Sequence, residues 1–495
     1  MSAFFGDIVQ FFTLNNFTTV IYVLNFIIAI IIIFFDRKSP GASIAWIMIL
    51  YLLPLVGLIG YLLFSQHIAG MKIYKLSEEE KWVKEFLIKY QKSKLLTDVF
   101  HSPNRIVHKW RDLVTLNLEY SNAALTDNKS VQLISDGQEK FDLLFKDIQN
   151  AKNRIHICYF IIKDDFLGNQ LIDLLTQKAA EGVQVRLLMD AMGSKQISNK
   201  KLKSFKEAGG KYSFFFKPRI RKLYIRFNYR NHRKIVIIDD KIGYIGGFNV
   251  AREYVGQKAK FGYWRDAHIR IIGNAVIPLN SIFLTDWRCS TKESINLIKE
   301  SLPERLYPEI DGKIPIQIVN SGPESPKEEI KIAMMKMISG AKKTIHIQTP
   351  YLVPDDSLID ALRMAIRAGV DVKIMIPCRP DHPFVYRTTL LNAGELINEG
   401  ARIFIYEDGF LHAKTLSVDG EVATIGSANF DIRSFRLNFE SNAIIYDNNF
   451  AKEMDRQFEN DVALHCKEYT AVDRANISLY EYVAERISRL LKEIL

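Results

Sequence analysis

Two long apolar runs open the chain. Phe17 to Phe35 reads FTTVIYVLNFIIAIIIIFF, nineteen residues without a charge. The turn Asp36-Arg37-Lys38-Ser39-Pro40-Gly41 follows, and Ala42 to Phe64 is again uncharged. As a helix rising 1.5 Å per residue, either run is long enough for a hydrocarbon core of about 30 Å. A secretion signal fits the first run poorly, because no basic segment precedes it and its apolar core is too long. The pattern predicts two membrane helices, with Pro54 tolerated inside the second. The polar sequence SEEE from Ser77 then predicts a capping box opening a helix, in a connector that ends in the polar stretch Ser121–Ser130.

Beyond the connector the pattern repeats. AKNRIHICYF (Ala151–Phe160) is answered by AKKTIHIQTP (Ala341–Pro350), and Asp164-Asp165 by Asp355-Asp356. AAEGVQVRLLMD (Ala179–Asp190) is answered by IRAGVDVKIMIP (Ile366–Pro377). Each half reads helix, strand, helix, strand, then a hairpin, with Ile- and Val-rich strands and helical spacing between them. The expected fold class is therefore α/β, built twice in tandem.

The hairpins carry the chemistry. His232-Arg-Lys234 precedes IVII and Asp239, and Gly246-Gly247-Phe-Asn249 follows. In the second half His412-Ala-Lys414 precedes TLSV and Asp419, and Gly426-Ser427-Ala-Asn429 follows. Strand alternation puts His232 and Lys234 on one face, and likewise His412 and Lys414. The candidate catalytic set is His232, Lys234, Asp239, Asn249, His412, Lys414, Asp419 and Asn429. Asp239 and Asp419 have the opposite parity and stand at turns, so their leading role is to cap the hairpin.

Brought together across a pseudo-twofold, two imidazoles, two ammoniums and two amides suit one phosphoryl group. Lys and Asn can hold its oxygens, one His can attack phosphorus, and the other can protonate the leaving oxygen. No carboxylate cluster offers a metal site, and the expectation is chemistry without metal or cofactor. A histidine used this way needs its other nitrogen fixed by an acceptor. Asp266, in YWRDAHIRI, and Glu440, in RLNFESNAII, lie at comparable distances past the two motifs and are the expected orienting acids.

Composition adds a surface. Hydrophobic residues make up 48% and charged residues 25%, which is globular, and the net charge is +10. Lys195–Lys234 holds fourteen Lys and Arg against one acid, Glu207. Aromatics interleave with these cations in FFFKPRIRKLYIRFNYRNHRK, with Lys217, Arg219, Arg221 and Lys222 at its centre. That mixture suits an anionic lipid surface; a nucleic acid is the alternative, and the membrane spans argue against it. The four cysteines are widely spaced and form no disulfide framework. The tail ERISRLLKEIL (Glu485–Leu495) carries Ile487, Leu490, Leu491, Ile494 and Leu495 on one helical stripe. It reads first as a packing helix, with a membrane-surface helix as the alternative. The positive-inside rule, applied to the lysines from Lys72 to Lys94, puts the bulk of the chain in the cytoplasm.

The doubled His-Lys-Asp template, from about Val131 to the end, resembles the phospholipase D superfamily. With the two apolar runs, Asp136-Gly137 and GFLHAKTLSVDG (Gly409–Gly420), the closer resemblance is to bacterial cardiolipin synthases. The resemblance implies two tandem phospholipase D-like repeats with the active site at their interface. It implies a membrane phosphatidyltransferase that condenses two phosphatidylglycerols into cardiolipin and glycerol through a phosphohistidine. By the same analogy His232 is the nucleophile and His412 the acid and base. A hydrolase or a phosphatidylserine synthase of the superfamily shares these motifs, and a lipid-binding scaffold without chemistry would have been expected to lose one. Gly247 stands where the second copy has Ser427, which implies that the first half lacks a hydroxyl contact to phosphate. The expected domains are a membrane hairpin (1–70), a helical connector (71–130), two repeats (131–305 and 306–470) and a C-terminal amphipathic helix (471–495).

Overall fold

A computed structural model describes residues 14–34, 40–64, 74, 77–96, 104–217, 228–291, 293–301, 313–379 and 381–492. The tip of the first turn, Lys72 and Lys75, the basic centre Arg219, Arg221 and Lys222, and Ile494 and Leu495 lie outside the described residues. The chain forms two compact units.

One unit contains the apolar runs. Leu14–Phe34 is a single helix, and among the described residues it is the one helix long and apolar enough to cross a membrane. The second run is two helices, Pro40–Leu52 and Pro54–Phe64, rather than the continuous helix expected. Pro54 is the cause, because it has no N–H for the Leu50 carbonyl four residues earlier and its ring crowds that turn. The helical pattern resumes on both sides, with Leu53 N–H donating to Ile49 O at 2.9 Å and Gly57 N–H to Leu53 O at 2.6 Å. The stranded carbonyl finds a donor in the other helix. Asn25, fully buried, donates Nδ2–H to Leu50 O at 2.7 Å and to Pro54 O at 3.1 Å. Ile32, Trp46 and Leu50 pack beside this bond.

The other unit holds both repeats. The capping box forms as expected: Ser77 N–H donates to Glu80 Oε2 at 2.8 Å and Glu80 N–H to Ser77 Oγ at 3.1 Å, opening the helix Glu78–Leu96. The strands of the first repeat are β1 (Leu125–Ile134), β2 (Arg154–Tyr159), β3 (Gln184–Asp190), β4 (Lys211–Phe215), β5 (Arg230–Asn231), β6 (Ile235–Ile238), β7 (Ile242–Gly246), β8 (Trp264–Arg265) and β9 (His268–Gly273). Those of the second are β10 (Ile314–Ser321), β11 (Thr344–Gln348), β12 (Asp371–Pro377), β13 (Arg402–Tyr406), β14 (Phe410–Leu411), β15 (Thr415–Val418), β16 (Val422–Gly426), β17 (Asn438–Ile445) and β18 (Cys466–Tyr469). The sheet order is β4-β3-β2-β6-β7-β9-β1 followed by β10-β17-β16-β15-β11-β12-β13-β18. The repeats are thus one continuous sheet, joined where β1 and β10 pair antiparallel.

Each half contains a third helix–strand unit that the sequence pattern did not resolve, Asn199–Glu207 with β4 and Pro383–Glu399 with β13. The paired aspartates begin helices: Asp165 accepts from the N–H groups of Leu167 and Gly168, and Asp355 from that of Leu358. Helices cover both faces. In β6, Ile235 and Ile237 enter the core under Val276–Thr291, while Val236 and Ile238 enter the core under Gly137–Gln149 and Phe166–Ala180. This alternation sends His232 and Lys234 one way and Arg233 the other.

Replacing Asn25 by Leu leaves the Leu50 carbonyl buried without a donor. A loss of about 1–3 kcal/mol is expected, read as earlier unfolding of the detergent-solubilised chain, with activity per folded molecule retained.

Candidate active site

The two short parallel pairs at the seam build the site. β5, just before His232, pairs with the start of β17 in the other repeat, and β14, just before His412, pairs with β8. The pairing continues into the motifs. His232 N–H donates to Phe439 O at 2.9 Å, and His412 N–H to Arg265 O at 2.7 Å. Each histidine is therefore laid beside the acid of the opposite repeat. His232 Nδ1 lies 2.9 Å from Glu440 Oε1 and 3.1 Å from the Ser427 carbonyl. His412 Nδ1 lies 2.6 Å from Asp266 Oδ2. Both expected orienting acids are in place, and they act crosswise.

Burial decides the protonation states. Burial first, then Lys414, lowers His412 to about 4, against the upward pull of Asp266. His232 is lowered as well, by burial first, with Glu440 opposing. At neutral pH these are neutral rings donating Nδ1–H to a carboxylate, which leaves the lone pair on Nε2. Burial alone would raise Asp266, but Lys414 and His412 hold it down at about 2. Burial opposes the lowering of Glu440 too, and His232 and Lys234 outweigh it.

The lysines are buried beside them. Lys234 Nζ donates to His232 O at 2.6 Å, and Lys414 Nζ donates to His412 O and lies 2.9 Å from His412 Nδ1. Burial brings Lys234 down to about 7, with Glu440 and Asp266 opposing and Lys414 contributing, and it lowers Lys414 too. An ammonium has three donors, and the carbonyl takes one of them. Two compressed ammoniums between two carboxylates make a site that gains from an entering phosphate anion.

Three sequence-predicted residues, Asp239, Asp419 and Asn249, make structural bonds. Asp239 accepts from the backbone N–H groups of Lys152, Asn153 and Arg154, and Asp419 from those of Lys342, Lys343 and Thr344. Both sit at positive φ, 50° and 56°, and tie the hairpin to the start of β2 or β11. These bonds are of the hairpin-capping kind that their parity implied. Asn249 accepts from Ile161 N–H and donates to Tyr254 Oη at 2.8 Å, holding the tyrosine ring beside His412. Asn429 is buried, and among the described residues its Oδ1 has no hydrogen-bond partner.

The Gly247–Ser427 difference has a different cause from a phosphate contact. Ser427 is fully buried, its hydroxyl bonded to the Ser441 backbone and helping to hold Glu440. At Gly247 a Cβ would lie 1.9 Å from Asp266 Oδ1. The glycine makes room for the shorter acid, and the serine supports the longer one.

Two arginines escaped the sequence reading. Arg233 donates to Glu440 O at 3.4 Å and is anchored by Asp286 at 2.6 Å, both side chains buried. Arg265 donates to Asp266 O at 2.7 Å and is anchored by Asp461 at 2.8 Å. Each arginine grips the main chain of an orienting acid and is tied to the long helix behind it, Val276–Thr291 or Asn448–His465. The available signal was an arginine close to each motif or orienting acid, with an aspartate inside a helix far downstream.

The family described as cardiolipin synthase, PLD-like domain, matches twice, over residues 144–261 and 334–462. The family described as phospholipase D-nuclease N-terminal matches residues 23–66. The major cardiolipin synthase of Bacillus subtilis (strain 168) is 45% identical over 475 residues, covering 96% of this chain and 98% of the relative. A cardiolipin synthase of Staphylococcus aureus (strain Mu50) is 44% identical over 486 residues, covering 97% of each. Among solved structures, a phosphatidylserine synthase of Haemophilus influenzae Rd KW20 aligns with a TM-score of 0.61 over 78% of this chain and all of that one. At 14% identity that likeness speaks to fold alone.

Gly247→Ala is expected to lower kcat by about 100-fold or more by displacing Asp266, and Ser427→Ala by about tenfold or less, since only a supporting bond is lost. Steady-state kinetics on both folded variants checks the order; equal small losses reject the steric account.

Proposed function

The chain belongs to the cardiolipin synthases with phospholipase D-like domains, and we propose that its one composite site performs both halves of a phosphatidyl transfer. The enzyme condenses two phosphatidylglycerols into cardiolipin and glycerol. His232 Nε2 attacks the phosphorus of the first lipid. Binding of the phosphate anion raises His412, which takes a second proton from solvent on Nε2 and enters the step as an imidazolium held by Asp266. The P–O bond to the terminal glycerol breaks, and that oxygen takes this Nε2 proton. A free hydroxyl of the second phosphatidylglycerol then gives its proton to His412 and attacks phosphorus. The P–N bond breaks, cardiolipin forms, and His232 returns to its starting state. One phosphodiester replaces another, so no nucleotide is consumed.

The observation that carries this reading is the pair of neutral imidazoles, each oriented through Nδ1 by a buried carboxylate of the other repeat. Lys234 and Lys414 hold the non-bridging oxygens and stabilise the charge that builds on them. The reverse assignment, with His412 as nucleophile, has one observation in its favour: Lys414 beside Nδ1 keeps that ring neutral. The apolar helix Leu14–Phe34 and the kinked pair Pro40–Phe64 cross the bilayer as a hairpin, and the repeats lie on the cytoplasmic side. Support for this topology is the apolar length of both runs and the lysine-rich flank.

Detergent-purified protein with labelled phosphatidylglycerol, a chelator and no nucleotide is expected to yield cardiolipin and free glycerol. His232→Ala and His412→Ala are expected to abolish both. Turnover quenched in neutral detergent denaturant should leave an acid-labile phosphatidyl group on the peptide containing His232. Label on the His412 peptide reverses the roles, and phosphatidic acid as sole product makes the enzyme a hydrolase.

A second expectation concerns pH. Lys234 must be charged, and its lowered value means the charge is lost as pH rises through about 7 in the empty site. The kcat/KM profile, which reports the free enzyme, should therefore fall above about 7. Bound phosphate raises the ammonium, so the fall in kcat should come at higher pH. Coincident alkaline limbs in kcat and kcat/KM reject this role for Lys234.

A further inference from the structure

The C-terminal helix, Leu479–Lys492, is turned the opposite way from a packing helix. Leu479, Tyr480, Val483 and Ile487 share one side at helical spacing and are 79%, 75%, 46% and 51% exposed. On the opposite side of the axis, Glu485 and Ser488 are buried. A helix packed on a water-soluble body buries its apolar stripe and shows its polar one. Here the polar residues face the protein and the apolar ones face outward. Of the apolar stripe expected for the tail, Ile487 is exposed, and the side chains of Leu490, Leu491, Ile494 and Leu495 lie outside the described residues.

The same reversal holds for the membrane-length helix. Leu14–Phe34 belongs to the same compact unit as the C-terminal helix, and its Phe26, Ile27 and Ile33 are exposed. Two elements of one unit that both turn apolar residues outward share an apolar surrounding. Tyr480, an aromatic ring with a polar tip, stands at the outward side of the C-terminal helix, with Tyr482 on its flank, as suits a headgroup boundary. Arg486, Arg489 and Lys492 lie along its length, and the Arg486 guanidinium sits 5.1 Å from the centre of the Tyr482 ring.

We infer that Leu479–Lys492 is an interfacial helix that lies on an anionic bilayer with its Leu479–Tyr480–Val483–Ile487 side in the acyl boundary. This rests on the membrane reading given above. The helix then adds a second membrane contact, at the end of the chain remote from the hairpin in sequence. Its cations hold it against the anionic lipid that is also the substrate class.

Photocrosslinking tests this on the full-length chain in phosphatidylglycerol vesicles. p-Benzoylphenylalanine is placed singly at Val483, Ile487, Glu485 and Ile27, and adducts are identified by mass spectrometry after irradiation. Lipid adducts at positions 483 and 487 are expected at least about fivefold above position 485, with a strong lipid adduct at 27. Adducts at 483 and 487 to this chain itself, or to a second copy of it, overturn the inference. A lipid adduct at 27 without one at 483 or 487 overturns it while the spanning helix stands. No lipid adduct at any position overturns both. Val483 and Ile487 are probed separately, so a failure of one variant to fold leaves the other to decide.

Discussion

Everything in the catalytic unit depends on one exchange: the carboxylate that orients each histidine comes from the other repeat. His232 is held by Glu440 and His412 by Asp266. The exchange follows from sheet topology. The antiparallel β1–β10 seam brings the halves together, and the β5–β17 and β14–β8 pairs lay each motif alongside the opposite acid. Neither half contains both a motif histidine and the carboxylate that holds it. The buried ion pairs of Arg233 with Asp286 and Arg265 with Asp461 then fix the main chain from which those acids project.

Burial gives this arrangement its electrostatic character. Four charged groups and two rings are removed from water in one small region, at a desolvation cost that each pairing only partly offsets. The cost appears as lysines pressed toward neutrality and imidazoles kept neutral. A phosphodiester anion supplies the missing negative charge. In the proposed transfer, substrate entry relaxes the lysines toward full charge at the moment that charge is needed. The asymmetry between halves, Gly247 with Asp266 against Ser427 with Glu440, keeps both carboxylates at bonding distance despite their different lengths.

The doubled template was legible because strand alternation is a strict rule. Parity alone separated His232 and Lys234 from Asp239, and the turn position of Asp239 explains its three backbone bonds. Tandem α/β repeats were legible for a similar reason, since Ile- and Val-rich runs recur in the same order. The crossing of Glu440 to His232 was not, because distance along the chain does not say which of two equivalent partners a side chain meets. Arg233 was read as part of a basic stretch when it is buried in an ion pair with a helix fifty residues on. The break at Leu53 was missed because a proline in an apolar run has two outcomes. The buried Asn25, on another helix, accompanies the one observed here.

The crosswise pairing also sets an order in time. Glu440 is 208 residues beyond His232. At about 5–20 residues per second, a ribosome needs roughly 10–40 s to travel from one to the other. During that interval the growing chain has its first histidine but no acid to aim it. A truncated or stalled product is in the same position. The pairing that aims His232 arrives only after Glu440 has been made and has met it.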